Sequence, residues 1–298
     1  MNAATVNIGA GRPALVSNIL VLLTVAMWGL TFVSTKVLIT HGLTPTWIFI
    51  SRFAMAYLCI LALSHKKLWS DTRKDELYMA AMGLTGGSLY FISENTALQL
   101  TYASNVSLII CAAPVLTMIL GAVLYKDRIR IKAVVGSLIA LCGVSAVILN
   151  GSMNLGLNPA GDLLTLFAAL LWAAYCLLLK RMTSRYPNLF VTRKIFFYGC
   201  ASALLVSVFE PLPRLPEAGS LMPVVLNLLF LGIVASFLCY IIWNREVKIL
   251  GPEKAANYIY FIPLVTIVAS SLILGEPITL WMIAGGLAIV GGVYLTAK

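Results

Sequence analysis

"ASNVSLIICAAPVLTMILGAVLYKDRIRIKAVVGSLIALCGVSAVIL", residues 103–149, holds two apolar runs of membrane-crossing length around a short basic knot, with one proline inside the first run. The chain repeats this plan near its end in "YFIPLVTIVASSLILGEPITLWMIAGGLAIVGGVYL", residues 260–295. A shift of 149 positions pairs Asn95 with Asn244, Pro114 with Pro263, Thr117 with Thr266, Gly136 with Gly285 and Gly143 with Gly292. Nearer the N-terminus a shift of 144 pairs Trp28 with Trp172 and Lys36 with Lys180, loop lengths absorbing the difference.

Working outward, composition gives the solvent. Of the 298 residues 60% are hydrophobic and 11% charged, and mean hydropathy is +0.95, whereas soluble domains are about a quarter charged. Such a chain cannot hide its apolar side chains in one water-soluble core, so the excess faces lipid. The formal charge of +10 lies in short basic clusters between apolar runs rather than on one amphipathic face, which excludes a nucleic-acid-binding surface. Six widely spaced cysteines, with no C-x-x-C pair, indicate neither disulfides nor a metal site. The first apolar stretch has no small-residue cleavage site at its end and reads as an uncleaved span.

A crossing helix takes roughly 20 apolar residues. Ten segments qualify, near 17–38, 45–63, 77–99, 103–124, 131–149, 161–180, 190–209, 221–244, 253–274 and 278–297, giving an all-α membrane protein with short connections and no soluble domain. One set of ends collects Arg12, then Lys66, Lys67, Arg73 and Lys74, then Lys126, Arg128, Arg130 and Lys132, and later Lys180, Arg181, Arg185, Arg193, Lys194, Arg245, Lys248, Lys254 and Lys298. The other set has only Arg214 in its loops. Basic loops stay in the cytoplasm, so both termini are expected there, the protein being multi-pass in a bacterial inner (plasma) membrane. Residues 1–150 and 151–298 form two repeats of five spans each. Five is odd, so the second repeat must be inverted, an architecture common among secondary transporters.

The stretches 103–149 and 260–295, with their prolines, the G-E-P at 275–277 and the Gly-x6-Gly pattern, resemble the EamA-type drug/metabolite transporters, and the likeness covers nearly the whole chain. The resemblance implies a carrier, commonly an exporter, of amino acids, amines or aromatic and cationic drugs, with no cofactor. Nothing in the sequence demands more than a monomer. An intramembrane enzyme is disfavoured, since His41 and His65 lie in loops on opposite sides and no span carries paired aspartates or a serine-centred motif. A channel-like facilitator and a structural or lipid-handling membrane protein stay open as rivals.

Candidate site residues follow. Glu94, flanked by Ser93 and Asn95 within an apolar run, costs about 2.5–3.5 kcal/mol if unpaired near the membrane centre. It faces a cavity, binding a substrate ammonium or a coupling proton, or it merely pairs with Arg52, which lies at a similar depth of about 10 Å by helical rise. Trp28 and Trp172 are the leading aromatic contacts, with Tyr90, Tyr175 and Tyr258 beside them and Asn244 as the repeat mate of Asn95. Pro114 and Pro263 are expected to kink their spans, freeing the carbonyls of Ile110 and Ile259 toward a polar cavity. The glycine series at 136, 143, 285, 286 and 292 is expected to let helices approach closely.

Overall fold

The computed structural model describes residues 12–126, 131–149, 159–210, 221–274 and 278–297. Arg128, Arg130, Arg214, Lys298 and the G-E-P motif, all used above, lie outside them. The described residues form helices α1 (Arg12–Thr40), α2 (Pro45–Leu63), α3 (Arg73–Gly83), α4 (Leu89–Leu100), α5 (Ala103–Ile109), α6 (Ala113–Tyr125), α7 (Ile131–Leu149), α8 (Pro159–Thr183), α9 (Asn188–Ser207), α10 (Leu221–Leu229), α11 (Cys239–Leu250), α12 (Pro252–Asn257), α13 (Ile262–Leu274) and α14 (Leu280–Ala297). Among the described residues there is no strand.

Local chemistry sets several boundaries. Gly42, at φ 90°, makes the turn after α1. Thr44 then caps α2, its hydroxyl accepting from the Trp47 amide, and Pro45 takes the first turn, where its missing N–H costs nothing. Thr72 caps α3 in the same way, with Asp75 and Glu76 in the first turn opposing the positive end of the helix dipole. Gly251, at φ 87°, ends α11 immediately before Pro252 opens α12.

Among the described residues six helical stretches are long and apolar enough to cross a membrane: Leu15–Thr40, Pro45–Leu63, Pro159–Thr183, Asn188–Ser207, Leu221–Leu250 and Pro252–Ile273. Shorter apolar helices cover Ile110–Tyr125, Ile131–Gly143 and Ile283–Gly292. Four of the expected spans are interrupted rather than straight. A π-helical turn, Leu84–Ser88, separates α3 from α4, and a longer one, Phe230–Leu238, separates α10 from α11. A 3₁₀ turn, Ile110–Ala112, separates α5 from α6, and another, Tyr258–Phe261, separates α12 from α13. Each 3₁₀ turn ends just before Pro114 or Pro263, so the helical winding changes next to both prolines.

The broadest helix pairing is α7 against α14. A Cβ built on Gly143 would stand 2.6 Å from the Gly285 carbonyl oxygen, and one on Gly292 would stand 2.5 Å from the Gly136 oxygen. These are backbone obstacles that cannot swing away, so the two glycines set how closely the helices approach. Gly291, one position earlier, faces open space. Gly292→Ala is therefore expected to lower stability by about 1–3 kcal/mol through overpacking, while Gly291→Ala leaves the melting temperature of the purified protein unchanged or slightly higher. Equal melting temperatures for both variants would contradict this seam.

Candidate functional site

The two 3₁₀ turns meet inside the bundle. There Trp28, Thr31 and Phe32 of α1, Arg52 of α2, Tyr90, Phe91 and Glu94 of α4, Trp172 of α8, and Ile110, Ile259 and Ile262 enclose a cavity of about 20 Å³. That is room for about one water molecule. Ile110 and Ile259, which the shift of 149 superposes, bring the two 3₁₀ turns to the cavity wall.

Two buried charges face this space. Glu94 is 5% exposed and Arg52 is 1% exposed. Both line the one cavity, yet they are not an ion pair. Glu94 Oε1 accepts a hydrogen bond from the Tyr90 hydroxyl at 2.6 Å, a contact one helical turn apart. Arg52 Nε donates to Ser236 Oγ at 2.8 Å, and its guanidinium lies 4.4 Å over the Phe91 ring. A guanidinium has five N–H donors, and no carboxylate among the described residues stands within ion-pair distance of it. Cation and anion thus share one cavity while each is held by a neutral neighbour.

The wall is aromatic. Trp28 and Trp172, 8% and 4% exposed, meet edge-to-face with ring centres 5.2 Å apart, so neither is a lipid-facing residue. Trp243 packs on both, at 5.0 and 5.8 Å, and Tyr90 lies 5.0 Å from Trp172. Each such pair adds about 0.5–1.5 kcal/mol beyond burial.

The π turns are tied across the bundle in matching fashion. Trp28 Nε1 donates to the Ala235 carbonyl at 3.0 Å, and the Tyr240 hydroxyl donates to the Gly86 carbonyl at 2.6 Å. Positions 86 and 235 differ by the repeat shift of 149. A π turn disturbs the regular carbonyl-to-amide ladder, and in both places an aromatic donor from another helix satisfies a carbonyl. Lys36 performs a similar service nearby, its ammonium donating to the carbonyls of Leu98 at 2.5 Å and Thr101 at 3.0 Å, at the negative end of α4.

The remaining expected contacts lie elsewhere. Asn95 turns away from the cavity, and its amide donates to the Pro45 carbonyl at 3.1 Å, tying α4 to the start of α2. Asn244 accepts from the Tyr175 hydroxyl at 2.5 Å and donates to Thr192 Oγ1 at 2.8 Å, so it joins α8, α9 and α11. Tyr175 packs on Trp172 behind the wall. Tyr258 is half-buried beside Phe261 and outside the lining. Sequence reading missed Thr31, Ile262, Ser236 and the packing role of Trp243. Of these Trp243 alone leaves a signal in the sequence, since the shift of 149 places it opposite Glu94.

A second polar cluster lies at the end of the bundle where the 64–72 segment meets α8 and α9. Asp75 accepts from Arg185 Nη1 at 2.8 Å and from the Tyr186 hydroxyl at 2.9 Å. Glu76 accepts from Lys194, Tyr198 and the Ser70 amide. Burial works to raise the Glu76 carboxyl, but those three donors overcome it and hold the group down at about 2. A depressed folded-state value means stability that is complete above the ordinary value of 4.5 and is lost as pH falls toward about 2. Glu76→Gln, which leaves the buried Lys194 ammonium without its counter-charge, is expected to cost about 2–3 kcal/mol at pH 7. The difference in melting temperature from the unaltered protein should narrow below pH 4.5, and a constant difference down to pH 3 would remove the ion pair as its cause.

Comparison with known proteins agrees with this architecture. The EamA-like transporter family model matches residues 15–149 and again 159–298. A protein of Archaeoglobus fulgidus described as "Uncharacterized transporter" is 28% identical over 287 residues, covering 94% of this chain and 98% of its own. A Salmonella typhimurium protein described as "Probable amino-acid metabolite efflux pump" is 27% identical over 285 residues, covering 93% of each chain. A solved structure superposes with a TM-score of 0.72 at 18% identity, covering 94% of this chain and 96% of that one, and establishes likeness of fold. With apolar helices throughout and a family of transporters rather than enzymes, the chain is a multi-pass membrane protein that belongs to the EamA-like transporter family.

Proposed function

We propose that this protein is a secondary carrier, working as an exporter, for a small zwitterionic metabolite with an apolar or aromatic side chain. It acts by alternating access between two inverted five-span halves, with both termini in the cytoplasm. The observation that carries this reading is the pair of buried, mutually unpaired charges facing one aromatic cavity. Charges in such a place are costly unless they serve a ligand or a proton. An α-carboxylate suits the guanidinium of Arg52, an ammonium suits Glu94 with Tyr90 behind it, and an apolar side chain suits Trp28, Phe91 and Trp172. The description of the Salmonella relative, an amino-acid metabolite efflux pump, points the same way.

Several regularities support the two-half arrangement. The shift of 149 carries the π turn 84–88 to 233–237 and the 3₁₀ turn 110–112 to 259–261, each within an observed turn of the same kind. Cross-half packing is reciprocal as well, α4 with α8 answering α1 with α11, and α6 with α8 answering α1 with α13. The family model matches each half separately.

The test is counterflow in proteoliposomes with three probes: L-phenylalanine, L-phenylalaninamide, which lacks the carboxylate, and N-acetyl-L-phenylalanine, which lacks the ammonium. L-Phenylalanine on the far side should accelerate uptake of labelled L-phenylalanine, and each single-charge probe should compete at least tenfold more weakly. Uptake without acceleration by trans substrate would point instead to a channel-like facilitator. Equal competition by all three probes would overturn the zwitterion reading.

A further inference from the structure

Glu246, near the end of α11, is fully buried, and neither of its carboxylate oxygens has a hydrogen-bond partner among the described residues. Arg245 Nε stands 3.8 Å from Oε1, beyond hydrogen-bonding reach, on a side chain that is 61% exposed. Buried carboxylates are nearly always hydrogen-bonded, and one left bare needs a reason. Nothing in the cavity chemistry described above uses it.

Its position supplies the reason. Glu246 follows Trp243 by three residues and Cys239 by seven, so the three side chains share one face of α11. Trp243 is the ring that backs both Trp28 and Trp172. Glu94 therefore lies on the cavity side of this indole trio, and Glu246 lies one turn beyond it, about 4–5 Å further along the helix. The repeat shift of 149 places Trp243 opposite Glu94, so Glu246 sits a single turn past the place equivalent to Glu94. Both carboxylates are in helices that follow a π turn, α4 and α11. If the halves run in opposite senses, one carboxylate serves each side of the membrane.

We propose that Glu246 is the inward-facing counterpart of Glu94, a binding site for the ammonium group of the same substrate that is engaged when the bundle opens at the Leu250 end of α11. The proposal rests on the carrier reading above. Moving substrate from one acid to the other requires the indole trio to part, which makes Trp243 the partition between two half-sites rather than passive filling. In the present conformation the Glu246 half-site is shut, with 0% exposure.

The experiment measures half-saturation for labelled L-phenylalanine from each face, using right-side-out and inside-out membrane vesicles and subtracting protein-free background. Glu246→Gln should raise half-saturation at the Leu250 face at least tenfold and change it less than twofold at the other face. Glu246→Asp, which keeps the charge, should give a smaller rise confined to the same face. It also serves as the test if Glu246→Gln fails to reach the membrane. Arg245→Gln should leave both faces unaltered, because the ligand of Glu246 is the substrate and not that arginine. An equal change at both faces, or none at either, overturns the proposal while the carrier reading stands. Absence of L-phenylalanine transport by the unaltered protein overturns both.

Discussion

Glu94→Gln is expected to reduce carrier-mediated L-phenylalanine transport at least a hundredfold while shifting the melting temperature by only a few degrees. Glutamine keeps the size of the side chain and can still accept from the Tyr90 hydroxyl, the one hydrogen bond that Glu94 Oε1 makes among the described residues. What it cannot do is balance an ammonium in a site that excludes water. Losing a desolvated charge-assisted contact costs roughly 2–5 kcal/mol, and about 2.7 kcal/mol corresponds to a hundredfold. Because Arg52 is held by Ser236 and Phe91 instead of by Glu94, removing both charges with Arg52→Gln should not restore function or stability. Full rescue in the double variant would mean that the two side chains exist for each other, and unchanged transport in Glu94→Gln alone would end the case for a substrate site here.

Trp28→Phe should lower stability by about 1–3 kcal/mol and slow transport about tenfold, since it keeps a ring against Trp172 but leaves the Ala235 carbonyl without its indole donor. Tyr240→Phe should do the same on the other side by releasing the Gly86 carbonyl. Trp28→Ala adds loss of the packing against Trp172, Tyr240 and Trp243, raising the expected cost to about 3–5 kcal/mol. Thermal melting separates the variants, and vesicle uptake reports whether the π turns must be held for the cycle to run. Trp28→Phe and Tyr240→Phe proteins that both match the unaltered one in melting and in rate would relegate the two crossings to incidental contacts.

The helical class and the repeat were legible because they depend on hydrophobic run length and on residues recurring at a fixed offset. Glycine spacing likewise foretold close helix approach, since that requires a missing Cβ, but it did not name α7 and α14 as each other's partners. A disturbance of winding beside Pro114 and Pro263 was legible for a similarly local reason. The cavity was legible only in part. Glu94 and Arg52 stood out as charges inside apolar runs, but helical rise gives depth and not azimuth, so it could not tell shared exposure to one cavity from direct contact. Asn95 misled for the same reason, because adjacent residues on a helix point about 100° apart, and it serves the start of α2 instead. The π turns left no apolar-period signature, since a one-residue change of winding in a uniformly apolar stretch is invisible to hydropathy. Glu246 escaped notice because it follows Arg245 directly and reads as the last charged turn of a helix entering water, whereas α1, α8, α9 and α12 pack around α11 and bury it.

The narrowness of the central cavity bears on the economics of a transport cycle. With space for about one water, the cavity holds no standing void of metabolite size, so the proposed carrier would have to admit a substrate by moving helices apart. Entry would then break ring contacts among Trp28, Trp172 and Trp243, and a substrate would be selected as much by what it replaces as by what it touches.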